Sequence, residues 1–230
     1  NNSIDLFNKI SSNLKLKKGN LNNFKETFIF QESKFVHINA INEHNNLIEN
    51  VTKIKRQIIY LYYGCSGKAR HRLPSMNWFR KFEKLLIDKY FILYVGGPSE
   101  IGLRNSLSES EFSSFKFINK FSISEWSVIF SNSKYNIPLI SFDGGFSHIF
   151  GIHSDYIFQI FCSSNSHKWK NKSPYSGMFS CIHNGSPNYK PYMFRVPERC
   201  KISELAWASN QPEEVFSEFQ NWINNFEFQS

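Results

Sequence analysis

The stretch Asp143-Gly144-Gly145-Phe146-Ser147-His148 joins residue types suited to holding an anion. Two successive glycines after an apolar run let the backbone approach a ligand closely. A helix starting just beyond them would present unpaired N–H groups and a partial positive charge, which favour phosphate. His148 would stand in the first turn of that helix, at the same mouth, as a cation or hydrogen-bond donor. Asp143 is an anion and cannot stabilise phosphate directly. Its expected part is to orient the loop or accept a sugar hydroxyl, so that Asp143→Ala should impair ligand-dependent function at little cost in stability. The same spacing also describes a plain strand-to-helix turn capped by Asp143.

Two further loops carry compatible chemistry. Gly64-Cys65-Ser66-Gly67-Lys68 follows the β-favouring run Gln57–Tyr63 and leads into Arg70, His71 and Arg72. It is not a P-loop, because Gly67-Lys68 is followed by Ala69 and the leading glycine is misplaced. It reads instead as a looser phosphate or sugar loop with basic side chains. Gly96-Gly97-Pro98-Ser99-Glu100 is a turn in which Glu100 could bind a ribose diol, as carboxylates do in nucleotide-binding α/β folds. A second basic concentration, Lys168, Lys170 and Lys172 around Trp169, equally suits a solvated loop. The chain has no G-x-G-x-x-G after its first strand, no H-E-x-x-H, no D-x-D and no G-x-S-x-G, so a standard NAD site, a metal centre and a nucleophile elbow have no support.

The elements that must position these loops alternate. Strands are expected at Gln57–Tyr63, Phe91–Val95, near Lys116–Ile118, at Pro138–Phe142, Ile157–Cys162 and, last, Tyr192–Val196. Between them, Pro74 opens a helix with Trp78, Phe82, Leu85 and Leu86 on one face. Ser122 and Glu125 form a capping box for a helix carrying Ile123, Trp126, Ile129 and Phe130 on one side. Residues 163–190 read as a long basic loop. Asn210 caps a final helix with Pro212 in its first turn and an apolar stripe of Val215, Phe219, Trp222, Ile223 and Phe226. Continuous apolar strands alternating with amphipathic helices imply an α/β fold, a Rossmann-like parallel sheet with helices on both faces. In such a sheet ligands bind beyond the carboxyl ends of the strands, which is where all three loops fall.

The 230 residues, 27 Lys plus Arg against 19 Asp plus Glu, leave a formal charge of +8. That excess favours anionic partners such as nucleotide-sugar phosphates, acidic lipid or nucleic acid, although no nucleic-acid recognition motif is present. An apolar share of 41% excludes a disordered chain, and no apolar run approaches the roughly 20 residues of a membrane span. Cys65, Cys162, Cys181 and Cys200 form no C-x-x-C pair. Four reduced thiols are expected, with a Cys181–Cys200 metal or disulfide link as the alternative. Residues 1–54 are polar, with short apolar pieces such as Phe28-Ile29-Phe30. They read as a linker, the remnant of a preceding domain, or a peripheral helix and strand, ahead of one nucleotide-binding domain at 55–230.

These loops in this order resemble glycosyltransferase family 9, the ADP-heptose–lipopolysaccharide heptosyltransferases. Asp143-Gly144-Gly145-Phe146-Ser147-His148 is similar to the family's D-[ST]-G-x-x-H, with Gly144 in place of Thr or Ser. Gly96-Gly97-Pro98-Ser99-Glu100 resembles its G-G-P-x-E turn, Ser122–Phe130 one of its helices, and Gly64–Trp78 its small-residue loop, basic residue and Trp-Pro-x-x-x-Trp element. The resemblance covers residues 55–230 and implies the C-terminal, donor-binding domain of a GT-B enzyme. It implies that Ser66, Gly67, Lys68 and the basic residues Arg70, His71 and Arg72 hold donor phosphates. Glu100 would bind the nucleoside ribose and Asp143 the sugar, while Gly144, Gly145 and His148 line the sugar-phosphate. The implied reaction is metal-independent, inverting transfer of a sugar, heptose among the candidates, from a nucleotide donor such as ADP-heptose to a lipopolysaccharide or other bacterial surface glycan. It needs no cofactor and would take place in the cytoplasm, at or near the inner face of the membrane. The family's catalytic base lies in an N-terminal acceptor domain of roughly 150 residues, so it is expected outside this chain. A non-catalytic nucleotide-sugar or glycan-binding module is the alternative.

Overall fold

A computed structural model describes residues 38–53, 56–64, 72–97, 115–118, 120–162, 164, 166–181 and 204–226. The order is α1 (Ile38–Thr52), β1 (Ile58–Tyr62), α2 (Met76–Ile87), β2 (Phe91–Val95), β3 (Phe115–Ile118), α3 (Ile123–Ser131), β4 (Leu139–Phe142), α4 (Gly145–His153), β5 (Ile157–Phe161), α5 (Ser166–Trp169), β6 (Gly177–Ser180) and α6 (Pro212–Ile223). A helical turn at 204–209 precedes α6.

The six strands form one sheet, β3-β2-β1-β4-β5-β6, and every pairing is parallel. Every residue of β1, β2, β4 and β5 is buried. That is why these strands read as unbroken apolar runs rather than alternating ones. Alternation survives in which face each side chain serves. Ile59, Leu61, Ile92, Tyr94, Ile140, Phe142, Phe158 and Ile160 pack with Phe79, Phe82 and Leu86 of α2 and Val215, Phe219 and Ile223 of α6. Ile58, Tyr60, Tyr62, Phe91, Leu93, Leu139 and Ile157 pack with Ile48 of α1, Trp126 and Ile129 of α3, and Phe146 and Phe150 of α4. Right-handed crossovers require this split. The chain leaves β1 toward β2 on one side, then returns from β3 past β1 to β4, so α2 and α3 must cover opposite faces.

Several expectations shift by a residue or more. Pro74 does not open α2. Ser75 caps it, its hydroxyl accepting from the Trp78 N–H at 3.3 Å, and Pro74 is the carbonyl partner of the Tyr63 hydroxyl at 2.9 Å. The Ser122–Glu125 capping box is present, but Ile123 at the first position of α3 stays 59% exposed, because only Trp126, Val128, Ile129 and Phe130 turn inward. Asn210 does not cap α6. Its amide donates to the Cys181 and Ala206 carbonyls, and Gln211 is the capping residue, with its N–H donating to Glu214 at 3.0 Å.

The basic loop expected at 163–190 contains α5 and a sixth strand, β6, whose four residues are only half-buried. Gly177 begins β6 because a Cβ there would lie 2.6 Å from both Phe158 and Trp222, so α6 can lie over the strand only if that position has no side chain. The strand expected at Tyr192–Val196 lies outside the described residues, as does Phe28-Ile29-Phe30. The peripheral helix read before residue 55 is α1, which is seated on the sheet through Ile48 and Val51 and belongs to the compact unit His37–Ser230. Among the described residues no helix is long and apolar enough to cross a membrane.

Candidate functional site

The sheet order places the direction change between β1 and β4, since β2 and β3 lie to one side of β1 and β4 to β6 to the other. In such sheets a crevice for a ligand is expected there, at the carboxyl edge. Gly64 and Gly144 meet at that edge. A Cβ on Gly144 would sit 3.0 Å from the Gly64 carbonyl oxygen and 3.2 Å from the Tyr62 ring. Tyr62 in turn stacks on Phe146, centroids 4.6 Å apart. The second glycine of the pair differs: a Cβ on Gly145 would meet nothing within 4 Å, so this position opens outward.

Asp143 ends β4 and is 3% exposed. Its Oδ2 accepts from Arg72 Nη1 at 3.0 Å and from the hydroxyl of Ser164, beyond the end of β5. It therefore does not cap α4. The helix starts after Gly144 with no side-chain cap and no acidic residue in its first turn. The result is an arginine, about one-third exposed, fixed beside a helix start that has no side-chain cap. A buried carboxylate that orients a guanidinium also changes the expected effect of Asp143→Ala. Removing it strands Arg72 and the Ser164 hydroxyl, so that substitution costs stability as well as function.

The long loop from β1 to α2 is pinned at both ends, by Arg72 on Asp143 and by Tyr63 on the Pro74 carbonyl. At the next strand, the Gly96 carbonyl accepts from the Trp126 indole at 2.7 Å, which fixes the exit of β2 against α3. His148 is exposed in the first turn of α4, with its ring 6.0 Å from that of Trp169. Of the residues singled out from the sequence, the structure thus brings Arg72, Asp143, Gly144 and Gly145 together at the carboxyl edge beside β1 and β4, with His148 near Trp169 after β5. Ser66, Gly67, Lys68, Arg70, His71 and Glu100 lie outside the described residues, as do Cys65 and Cys200.

Sequence reasoning missed a buried polar relay. Gln159, fully buried in the middle of β5, donates through Nε2 to Ser147 Oγ at 3.3 Å and accepts at Oε1 from the Asn171 N–H at 2.6 Å. Ser147 Oγ donates onward to the Gly144 carbonyl at 2.7 Å. A glutamine within the apolar run Ile157–Cys162 was the available signal. The thiol neighbour of Cys181 is also new: Cys162 and Cys181 follow β5 and β6, both are buried and reduced, and burial together with the contact between them pushes the Cys181 thiol far up. Among the described residues Cys162 is thus the thiol beside Cys181, and the Cys181–Cys200 alternative falls outside them. Among the described residues no three His, Cys, Asp or Glu side chains gather where they could hold a metal ion.

No protein-family model matches the sequence, and no curated protein matches it. Solved structures do. The fold is similar to E. coli ADP-heptose LPS heptosyltransferase II, with a TM-score of 0.56 at 11% identity over 85% of this chain and 53% of that one. It is also similar to a glycosyl transferase family 9 protein from Veillonella parvula, with a TM-score of 0.59 at 12% identity over 82% of this chain and 52% of that one. The chain spans about half the length of each. The architecture is the α/β fold that makes up about half of each of these GT-B-type structures.

Proposed function

We propose that this chain is the donor-binding half of a glycosyltransferase and grips a nucleoside diphosphate-linked sugar at the crevice between β1 and β4. One observation carries the reading: the Asp143-anchored Arg72 stands beside the uncapped start of α4, at the point where the strand order reverses. Both features attract the same ligand group, a diphosphate, and Arg72, although paired with Asp143, is about one-third exposed. In a transfer reaction they would stabilise the departing nucleoside diphosphate as charge builds on its bridging oxygen. The fold likeness to two glycosyltransferase structures supports the class. The donor phosphates would also draw on Ser66, Gly67, Lys68, Arg70 and His71, with Glu100 on the ribose.

The acceptor proposed is a lipopolysaccharide or other bacterial surface glycan, at the cytoplasmic face of the inner membrane. The +8 charge suits both an anionic donor and an anionic surface. Transfer would be inverting and metal-independent, with the catalytic base supplied from outside these residues. The same arrangement of Arg72 and the α4 start would also serve a second reading, a non-catalytic nucleotide-sugar-binding module.

Calorimetric titration with ADP, GDP and UDP and their sugars tests the binding claim. One series should bind, and Arg72→Gln should weaken it about tenfold or more and also lower Tm, because it leaves the buried Asp143 carboxylate without its cation. Asp143→Ala should lower both affinity and Tm. Absence of binding by every series removes the reading. Binding without transfer, once a separate acceptor-binding half is supplied, favours the module.

A further inference from the structure

We infer that Trp169 is the platform on which the sugar of the bound nucleotide sugar rests. The inference deepens the donor-binding reading and depends on it. A nucleotide sugar is linear: nucleoside, two phosphates, sugar. In an extended donor with its diphosphate at the β1/β4 crevice, the two ends would point along the carboxyl edge in opposite directions. One end reaches the exit of β2, on which the ribose-binding expectation for Glu100 falls. The other reaches the loop after β5, because β5 is the next strand beyond β4. Trp169 stands in that loop.

Its surroundings fit a sugar. Of the five tryptophans, Trp169 is the exposed one, at 40%. It lies beside His148 of the α4 first turn, 6.0 Å between ring centroids and 57° between planes. Lys170 and Lys172 follow it. A partly exposed indole can cover the apolar C–H face of a pyranose, while an imidazole beside it can reach a hydroxyl or the adjoining phosphate.

The loop is held in place from beneath. The Lys170 N–H closes the α5 turn on the Ser166 carbonyl at 2.7 Å, and Gln159 takes the Asn171 N–H. Asn171 accepts from the Ser173 N–H at 2.8 Å and from the Ser176 hydroxyl at 2.9 Å. Through Gln159 and Ser147 this loop is joined to the Gly144 carbonyl, so the indole and the phosphate-facing turn share one rigid support.

The test compares ADP, GDP and UDP with ADP-glucose, GDP-mannose and UDP-glucose on the wild-type chain, Trp169→Ala and Trp169→Phe. If the wild type binds none of them, the donor-binding reading itself fails. If it binds, Trp169→Ala should weaken the sugar conjugate about three- to tenfold, leave the free diphosphate unchanged, and be rescued by Trp169→Phe. Equal loss for both ligands, as a base-stacking role would give, overturns the inference, and so does no loss for either. Acrylamide quenching of the wild type is a second measurement that needs no variant. The conjugate should shield the accessible tryptophan and the free diphosphate should not; equal shielding overturns the inference.

Discussion

The two faces of the sheet are built to different rules. The face under α2 and α6 is filled by aromatic and aliphatic side chains drawn from β1 through to the far end of the chain, with Phe219 wholly buried against Tyr90 and Phe158. Its buried carboxyl group, Glu83, accepts from the Tyr94 hydroxyl. The face under α1, α3 and α4 buries His44, Ser141, Ser147 and Gln159 among its aromatics. Two of these, Ser147 and Gln159, lead by hydrogen bonds to the crevice turn. Apolar packing there would give stability but could not hold a turn carbonyl in one orientation. Directional bonds can, provided each polar atom is satisfied.

The largest separation between the faces should come from Phe219→Ala. Truncating a wholly buried Phe costs about 3–5 kcal/mol, so the urea midpoint should fall steeply while affinity per folded molecule holds. Gln159→Leu should do less to stability, about 1–3 kcal/mol for stranding the Asn171 N–H and loosening Ser147, and more to ligand affinity. If both variants leave affinity intact, the division of labour between faces is wrong.

A smaller effect distinguishes them by pH. Burial lowers the His44 pKa to about 4, and its Nε2 pairs with the Tyr60 hydroxyl at 2.7 Å. Between pH 6.5 and 4 the unfolded chain takes up a proton that the folded one refuses. His44 therefore supports the fold above pH 6.5 and loses that support as pH falls. Glu83 behaves oppositely. Burial raises its pKa to about 7 against the pull of Arg80, so its contribution is complete below pH 4.5 and is lost as pH rises through 7. Each slope is at most about 1.4 kcal/mol per pH unit, and the two offset one another between pH 4.5 and 6.5. Urea unfolding from pH 4 to 8 should show His44→Gln losing stability as pH rises and Glu83→Gln losing it as pH falls. Parallel curves for the two variants would refute the assignment.

The smallest effect concerns the thiols. Cys162 and Cys181 should resist iodoacetamide at pH 8 in the native chain and react fully in urea, as read by peptide mass mapping, because burial holds Cys181 protonated. Native-state labelling of either would show that the β5–β6 edge opens readily.

Local patterns were legible in proportion to their locality. Five strands and the Ser122–Glu125 box could be read directly because period, run length and capping spacing act over a few residues. β6 could not: Gly-Met-Phe-Ser is a weak run that becomes a strand only because β5 offers it an edge and Trp222 roofs it. The capping errors at Pro74 and Asn210 have one cause. Each sits within two residues of the true cap, and tertiary partners, the Tyr63 hydroxyl and the Cys181 carbonyl, claimed them instead.

The amino-acid order alone determined the parallel α/β scheme and therefore the edge on which a ligand must sit, since apolar periodicity and crossover handedness leave little choice. Which groups meet on that edge was decided only by the packed sheet. Arg72 and Asp143 are 71 positions apart, and Gln159 touches Ser147 and Asn171 across two elements. Short-range rules act along the chain, whereas an ion pair or a buried relay depends on distances that exist only once the strands have taken their places.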